Sequence, residues 1–363
     1  MSAPIALTRL AVQNFRNLTF IELEPSPGLN LLVGQNAQGK TSTLEAIHLA
    51  STGRLLRPGK EGGAIQIGQD EAAIHATVEP TQTEIKVLMR QGLRKQILVN
   101  GSTLKRASDV LGRLPSVSFS SQDLLLVDGE PSDRRALADA ELSQLYPAYL
   151  RAFALYRRAL DQRNSLLKHA QDSHVADEEF SIWEQNLADA GEVMRTYRLN
   201  WLTMLEVYAA IAQERLGSGE KISLRWVLAD KGSLLDTLAA RRRQDIHRGS
   251  TTSGPHRDEL DITLEKMPAK THASQGQRRS IVIALKAAVL ETAREVLGAP
   301  PLLLLDDVFS DLDSHRRTML VEMALEQGGQ VFITCTEQEQ GGKTLVGKSA
   351  VFRVESGQVT RSG

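Results

Sequence analysis

The chain has 363 residues, 41% of them apolar, and a formal net charge of −1. That length holds two ordinary domains with a sizeable core, and the charge balance leaves any affinity for nucleic acid to local patches. The single cysteine, Cys335, excludes a disulfide framework and points to a reducing compartment.

No apolar run approaches the ~18 residues of a membrane helix. The start, Met1-Ser2-Ala3-Pro4-Ile5, has neither a basic stretch nor a long apolar core, so no signal peptide is expected. A soluble cytoplasmic protein is the expectation.

Residues 5–23 alternate as a hairpin, with Leu7, Leu10 and Val12 before the turn Asn14-Phe15-Arg16-Asn17 and Phe20, Ile21 and Leu23 after it. Arg16 beside that turn has two readings, a phosphate contact or a solvated turn arginine. An apolar strand, Leu31-Leu32-Val33, then runs into Gly34-Gln35-Asn36-Ala37-Gln38-Gly39-Lys40-Thr41-Ser42, and a helix follows with Leu44, Ile47 and Leu49. The loop has the form G-x-x-x-x-G-K-T. Its backbone N–H groups are expected to cradle nucleotide phosphates. Gly34 and Gly39 lack a Cβ and permit the tight turn and the close approach of phosphate. Lys40 places a charge on the β and γ oxygens, the Thr41 hydroxyl sits where a Mg²⁺ ligand is needed, and the helix start adds a positive field.

Beyond the first helix, Arg54, Arg57 and Lys60 lie in a loop with Pro58 and Gly59 and read as a solvated basic loop. Short strands are expected at 64–67, 72–78, 84–89 and 95–99, forming an antiparallel layer beside the main sheet. Residues 103–112 read as a helix and 116–120 as a strand. Gln122 follows directly, within reach of an attacking water or a metal.

The composition shifts after Pro131. All five tyrosines and all three tryptophans lie between Tyr146 and Trp226. One helical segment shows Tyr149, Phe153, Tyr156, Leu160 and Leu167. The next shows Phe180, Trp183, Leu187, Ala190, Met194, Tyr197, Trp201, Met204, Tyr208 and Ile211, stepping by 3 and 4 as a heptad seam. Two antiparallel helices forming an arm are expected, joined by the polar linker 171–177. The stripe reads as core; a base-stacking surface is the alternative. Residues 131–170 carry seven Lys/Arg against four Asp/Glu, and Arg134-Arg135, Arg157-Arg158 and Arg241-Arg242-Arg243 are the dense points. Such runs are usually solvated faces.

Residues 222–228 read as a strand, 233–247 as a helix, and 260–264 as a strand returning to the main sheet after Gly254-Pro255-His256-Arg257-Asp258. Ser274-Gln275-Gly276-Gln277 opens a long helix over 278–297. Ser274 is a good N-cap, Gly276 allows close approach, and a helix start binds anions. The run Pro301-Leu302-Leu303-Leu304-Leu305-Asp306-Asp307 is a buried strand ending in two acids. Asp306 is placed to bind Mg²⁺ and Asp307 to orient or deprotonate the attacking water. Ser310-Asp311-Leu312-Asp313 follows as a loop, and 330–336 is another buried strand with polar residues at its carboxyl end, where ligands gather in open α/β sheets. A second anion-binding helix start has no reason to reach the same phosphates within one head. It makes sense if it caps the nucleotide held by another copy.

Phosphate loop, Gln122, S-Q-G-Q, L-L-L-L-D-D and S-D-L-D, with a helical arm between them, resemble the ABC-type ATPase heads of SMC-like proteins. Asn14-Phe15-Arg16-Asn17, Gly129-Glu130-Pro131 with Arg134-Arg135, and the stretch 254–258 resemble more closely the RecF family of bacterial recombination mediators, over the whole chain. The resemblance implies an α/β ABC-type head, a mixed sheet with a small antiparallel β layer, interrupted by a coiled-coil-like arm: 1–130 as the N-terminal part of the head, 131–249 as the arm, and 250–363 as the C-terminal part. It implies a slow ATPase using ATP and Mg²⁺ that forms an ATP-dependent homodimer, binds double- and single-stranded DNA at junctions or gaps, and works with RecR and RecO to place RecA in DNA repair, recombination and replication. By that resemblance Lys40, Thr41, Gln122, Ser274, Gly276, Gln277, Asp306, Asp307 and Asp313 fall on functional positions, with Gln122 a metal ligand beside Thr41 and Asp306, and the basic clusters become candidate phosphate contacts. Two departures stand out. The signature reads S-Q-G-Q rather than L-S-G-G-Q, and Thr334 and Thr336 stand where many ABC ATPases place a histidine. Two other readings are a transporter subunit and a structural tether. A transporter's energising subunit needs surfaces for membrane helices, to which such an arm is foreign. An SMC-like tether needs a longer arm, since about forty helical residues span only ~60 Å.

Overall fold

A computed structural model of the chain describes residues 4–57, 61–217, 219–309, 312–338 and 342–362, apart from the side chains of 342–344. Expectations that touch Met1, Ser2, Ala3, Pro58, Gly59, Lys60, Ser310 and Asp311 lie outside the described residues. The chain divides into two compact units, Met1–Asp123 with Val289–Gly363, and Leu124–Ala288.

The first unit holds two six-stranded sheets. One runs in the order Gln358–Ser362, Ser349–Glu355, Leu29–Val33, Val331–Cys335, Leu302–Asp306, Ser116–Ser120. Its pairings are parallel except for the hairpin that adds the last strand in sequence. Central parallel strands are covered on both faces and read as continuous apolar runs, as Leu31, Leu32, Leu304 and Phe332 illustrate, each at most 1% exposed. The other sheet, Leu18–Leu23, Ala6–Phe15, Glu71–Glu79, Thr83–Arg90, Gln96–Val99, Ser102–Thr103, is antiparallel. Its strands alternate buried and exposed residues because one face meets the core.

The helix Lys40–Thr52 shares one core with both sheets: Leu44, Ile47 and Leu49 cluster with Leu32 and Phe332 and with Leu10, Ile74 and Val87. A helix covered on nearly every side has little amphipathic character. Gln330 completes the joint without apolar surface. Its amide accepts from the Leu7 N–H and donates to the carbonyls of Leu7 and Ser26, each at 2.8 Å.

Two local expectations change. Residues 64–67 form no strand; Glu61–Ala64 is a single 3₁₀ turn, and Ile65 makes an isolated bridge to Phe15. Over 103–112 only Ala107–Val110 is helical, again as 3₁₀. A further hairpin, Ser349–Glu355 with Gln358–Ser362, adds to the expected elements, with Phe352 and Val354 alternating ahead of the turn Ser356-Gly357.

The second unit contains the arm helices Pro147–His169 and Asp177–Arg215, antiparallel as expected, with Pro131–Leu145 before them and Leu234–Arg248 after. At 1.5 Å per residue, the 39-residue helix spans about 58 Å. Phe180, Leu187, Met194 and Trp201 are buried as the seam requires, but Ile211 is 50% exposed. The buried series moves to Leu202, Leu205, Ala209 and Ala212, because a straight helix of 3.6 residues per turn drifts off a 3.5 repeat. The strand Glu259–Leu264 does not return to the main sheet. It pairs with Ile222–Val227 and Met267–Pro268 in a separate three-stranded sheet. Residues 250–288, expected in the C-terminal head, accordingly cluster with the arm.

Candidate functional site

The strand Leu29–Val33 ends at Gly34, whose N–H donates to the Cys335 carbonyl at 3.2 Å. A Cβ on Gly34 would collide with the Val354 carbonyl oxygen. Gly34 is therefore needed for the approach of the neighbouring strand, a role the sequence reading did not assign. Gly39 has φ +120, a left-handed conformation that glycine adopts freely, and Ala37 also has positive φ, at 65. Asn17 latches the loop: its amide donates to the Ala37 carbonyl at 2.9 Å and its oxygen accepts from the Ser42 hydroxyl at 2.8 Å. Gln38 closes the far side, accepting from Ser356 N–H at 2.6 Å while its carbonyl accepts from Gly357 N–H at 2.9 Å.

Asn36, Ala37, Gly39, Lys40, Thr41 and Ser42 line a cavity of about 500 Å³ together with Arg16, Asn17, Arg57 and Asp307. The Lys40 ammonium donates to the carbonyls of Gly34 and Gln35 at 2.5 and 2.9 Å. Burial lowers its pKa, while the nearby Asp307, Cys335 and Asp306 act in the opposite direction. Both partners are backbone carbonyls, so the ammonium can leave them for phosphate oxygens at modest cost.

The Thr41 hydroxyl donates to Asp306 Oδ1 at 2.9 Å. Burial raises the Asp306 pKa; hydrogen bonds from Thr41 and Thr334 oppose this, and the charge of Asp307 adds to it. Two hard oxygen ligands side by side suit Mg²⁺, which keeps most of its water and takes one or two protein oxygens plus phosphate. No cluster of three or more His, Cys, Asp or Glu side chains suited to a metal occurs among the described residues. Asp307 has φ +50, a strained conformation for a non-glycine residue, and it lines the cavity.

Gln122 follows the strand whose Ser120 pairs with Asp306, on the 3₁₀ turn Ser121–Leu124. It is exposed and is not part of the cavity lining.

Arg16 lines the cavity, but its Nε and Nη2 donate to Glu45 at 3.0 and 2.8 Å and its Nη1 to the Gly63 carbonyl at 2.9 Å. Arg57, read as solvated, also lines the cavity and donates to the same carboxylate at 3.0 and 2.6 Å. Glu45 is fully buried. Burial alone would raise its pKa, but the hydrogen bonds and charges of the two arginines hold it below the ordinary carboxylate range. One buried carboxylate thus orients two guanidiniums beside the phosphate loop and leaves a net positive charge there, suited to an anion. The signal for Glu45 was an acid flanked by Leu44 on one side and by Ala46 and Ile47 on the other in the helix.

The other expected residues are not among those lining this cavity. In the second unit, Ser274 and Gln277 form a capping box: Gln277 N–H donates to Ser274 Oγ at 3.3 Å and Ser274 N–H to Gln277 Oε1 at 2.6 Å. Gln277 also donates to Glu220. Gly276 lies in the first turn they cap. Asp313 caps the helix Ser314–Glu326, accepting from Arg316 N–H at 2.9 Å. That hydrogen bond lowers its pKa.

The basic clusters prove mixed. Arg134 is buried on Glu259, Arg135 donates to the Asp258 carbonyl at 2.8 Å, and Arg242 binds Glu184 and Asp177. Arg157, Arg158, Arg241 and Arg243 are exposed. The stretch 254–258 is held in a dense polar network, with Arg257 exposed. Asp258 and Asp230 clamp Arg195, each through two hydrogen bonds of 2.8 to 2.9 Å, and the Pro255 carbonyl accepts from Arg198 at 2.8 Å. His256 Nε2 meets the Thr251 carbonyl at 3.1 Å and Nδ1 meets Tyr156 Oη at 2.6 Å. A carbonyl only accepts, so Nε2 carries the proton and Tyr156 donates to Nδ1.

Among the described residues no helix is long and apolar enough to cross a membrane. The sequence matches the RecF/RecN/SMC N terminal domain family over residues 6–360. It is 38% identical over 370 residues to the DNA replication and repair protein RecF of Symbiobacterium thermophilum, covering 97% of each chain. A solved structure described as the recombination mediator protein RecF with ATP in the RecFOR pathway superposes with a TM-score of 0.91 at 31% identity, over 99% of this chain and 98% of that one. The Smc head domain of Pyrococcus furiosus shares the fold, with a TM-score of 0.59 at 13% identity over 99% and 96% of the two chains. The chain belongs to the RecF family.

Proposed function

We propose that the chain is a Mg²⁺-dependent ATPase that dimerises on ATP, binds DNA at gaps or single-strand/double-strand junctions, and acts with RecR and RecO in placing RecA. The observation that carries the reading is the 2.9 Å contact between Thr41 Oγ1 and Asp306 Oδ1 beside the loop cavity. It joins the loop that holds phosphate to the strand that ends in acids. The ATP-bound relative described above supports the nucleotide.

In this mechanism the loop N–H groups hold the β and γ phosphates and Lys40 exchanges its carbonyl partners for phosphate oxygens. Thr41 and Asp306 would hold Mg²⁺, which supplies charge neutralisation on the β and γ oxygens when bound. Asp307 orients the attacking water and takes its proton as the γ-phosphorus bond to the bridging oxygen breaks and ADP leaves. Arg16 and Arg57, fixed by Glu45, add positive charge at the cavity wall. Ser274, Gly276, Gln277 and Asp313 do not line this cavity; they are assigned to the nucleotide of a second copy, with Gln122 approaching the metal or the water once the nucleotide is in place. The test is sedimentation with and without a non-hydrolysable ATP analogue and Mg²⁺, each with and without gapped DNA. A dimer formed only with nucleotide supports the reading; a monomer at saturating nucleotide overturns it.

A further inference from the structure

The two arm helices leave a groove of about 560 Å³ between them. Part of its floor is small and apolar, with Ala152, Ala159 and Ala190 buried, and the half-buried Trp183 and the exposed Asn186 line it beside them. Its rim carries Leu155 at 61% exposure and Val193 at 39%. Small floor residues beneath larger rim residues form holes that accept the side-chain knobs of a third helix. The lining runs from Ala148 to Ala159, which is about 16 Å, or three helical turns.

Charge selects the occupant. Arg151 and Arg158 lie seven residues apart on one face, line the groove, and have no ion pair or hydrogen bond among the described residues. Their neighbours are engaged. Arg157 sits over the Phe153 ring at 5.8 Å, and Arg163 and Arg198 are buried in ion pairs. The opposite wall presents Asp189, held by Gln185 at 2.8 Å. One wall therefore carries two positive charges and the other a single negative one. A nucleic-acid backbone is negative throughout and would be repelled by Asp189, whereas a helix can offer a different edge to each wall.

We infer that this groove docks an amphipathic helix of a partner protein, about three turns long, with apolar residues at i, i+3/i+4 and i+7 and carboxylates along the edge facing Arg151 and Arg158.

The test uses the full chain as bait for a displayed library of twelve-residue helical peptides. Selected peptides should carry Leu or Met at the knob positions and Glu or Asp along one edge. The exposed double variant R151E/R158E, which removes no internal contact, should bind them about tenfold or more weakly, and should itself select Lys or Arg at that edge. Peptides without an acidic edge, or binding unchanged by the charge reversal, overturn the proposal. A twelve-nucleotide oligo-dT whose binding falls in the same double variant also overturns it, and reassigns the face to single-stranded nucleic acid.

Discussion

The Thr334 hydroxyl accepts the Asp307 N–H at 2.8 Å, and the same oxygen donates to Asp306 Oδ1 at 3.0 Å. One side chain from the strand Val331–Cys335 thus bridges the two acids that end the neighbouring strand. Thr334 is fully buried, and its β-branched side chain has few rotamers to choose from. The bridge supports Asp307 in a backbone conformation that costs of order 1–3 kcal/mol when unsupported.

Thr334→Val keeps the shape and deletes both hydrogen bonds. Turnover should fall about tenfold or more with little change in the KM for ATP, the Mg²⁺ requirement should rise, and Thr334→Ser should restore both. Steady-state kinetics across a Mg²⁺ titration check this. Unchanged turnover in the valine variant rules the bridge out.

Asp307→Asn should still bind ATP and accumulate the dimer, with hydrolysis reduced by about 10²–10⁴-fold, the usual worth of a positioned base. Lys40→Met should instead lose nucleotide binding. Binding of a fluorescent ATP analogue together with phosphate release distinguishes the two. Normal turnover in the asparagine variant would remove Asp307 from its role.

Ser274→Arg should leave ATP binding by the monomer intact and abolish nucleotide-dependent dimerisation. Ser274 also caps a helix, so Ser274→Ala is the control and should lose about 1 kcal/mol of stability. Sedimentation and thermal unfolding of both variants separate the effects. A dimer formed by the arginine variant with ATP contradicts capping across the interface.

Burial pushes the His256 pKa down from 6.5 to about 4; the nearby Arg257 and Arg135 act the same way, while the Thr251 carbonyl and Asp258 oppose it. The unfolded chain therefore takes up this proton first as pH falls. Stability from the neutral imidazole is complete above pH 6.5 and is lost between 6.5 and about 4, by at most about 3 kcal/mol. Denaturant unfolding across that range should show the slope, and His256→Gln should flatten it while costing about 1–3 kcal/mol at pH 7 through the unpaired Tyr156 hydroxyl. A slope that is the same in both proteins refutes the assignment.

Contiguous chemistry was legible in the sequence. The phosphate loop, the paired acids and the capped helix at Ser274 each announce themselves because a few adjacent residues dictate local backbone geometry and carry their own polar groups. The arm was legible for a related reason, since a 3-4 spacing of apolar residues admits one helical face. Tertiary structure alone decided the rest. Glu45 gained meaning only when Arg16 and Arg57 arrived from separate segments, and Thr334 only when the sheet order set its strand beside the two acids. Arg163, Arg195 and Arg198 are buried against acids distant in sequence, and no local pattern announces those pairs. The strand Glu259–Leu264 carries an ordinary alternating pattern that fits either sheet, and only its pairing with Ile222–Val227 placed it. Local pattern specifies which face of an element is apolar; which distant element covers that face depends on the whole chain's packing, and that information is not contained in any short stretch.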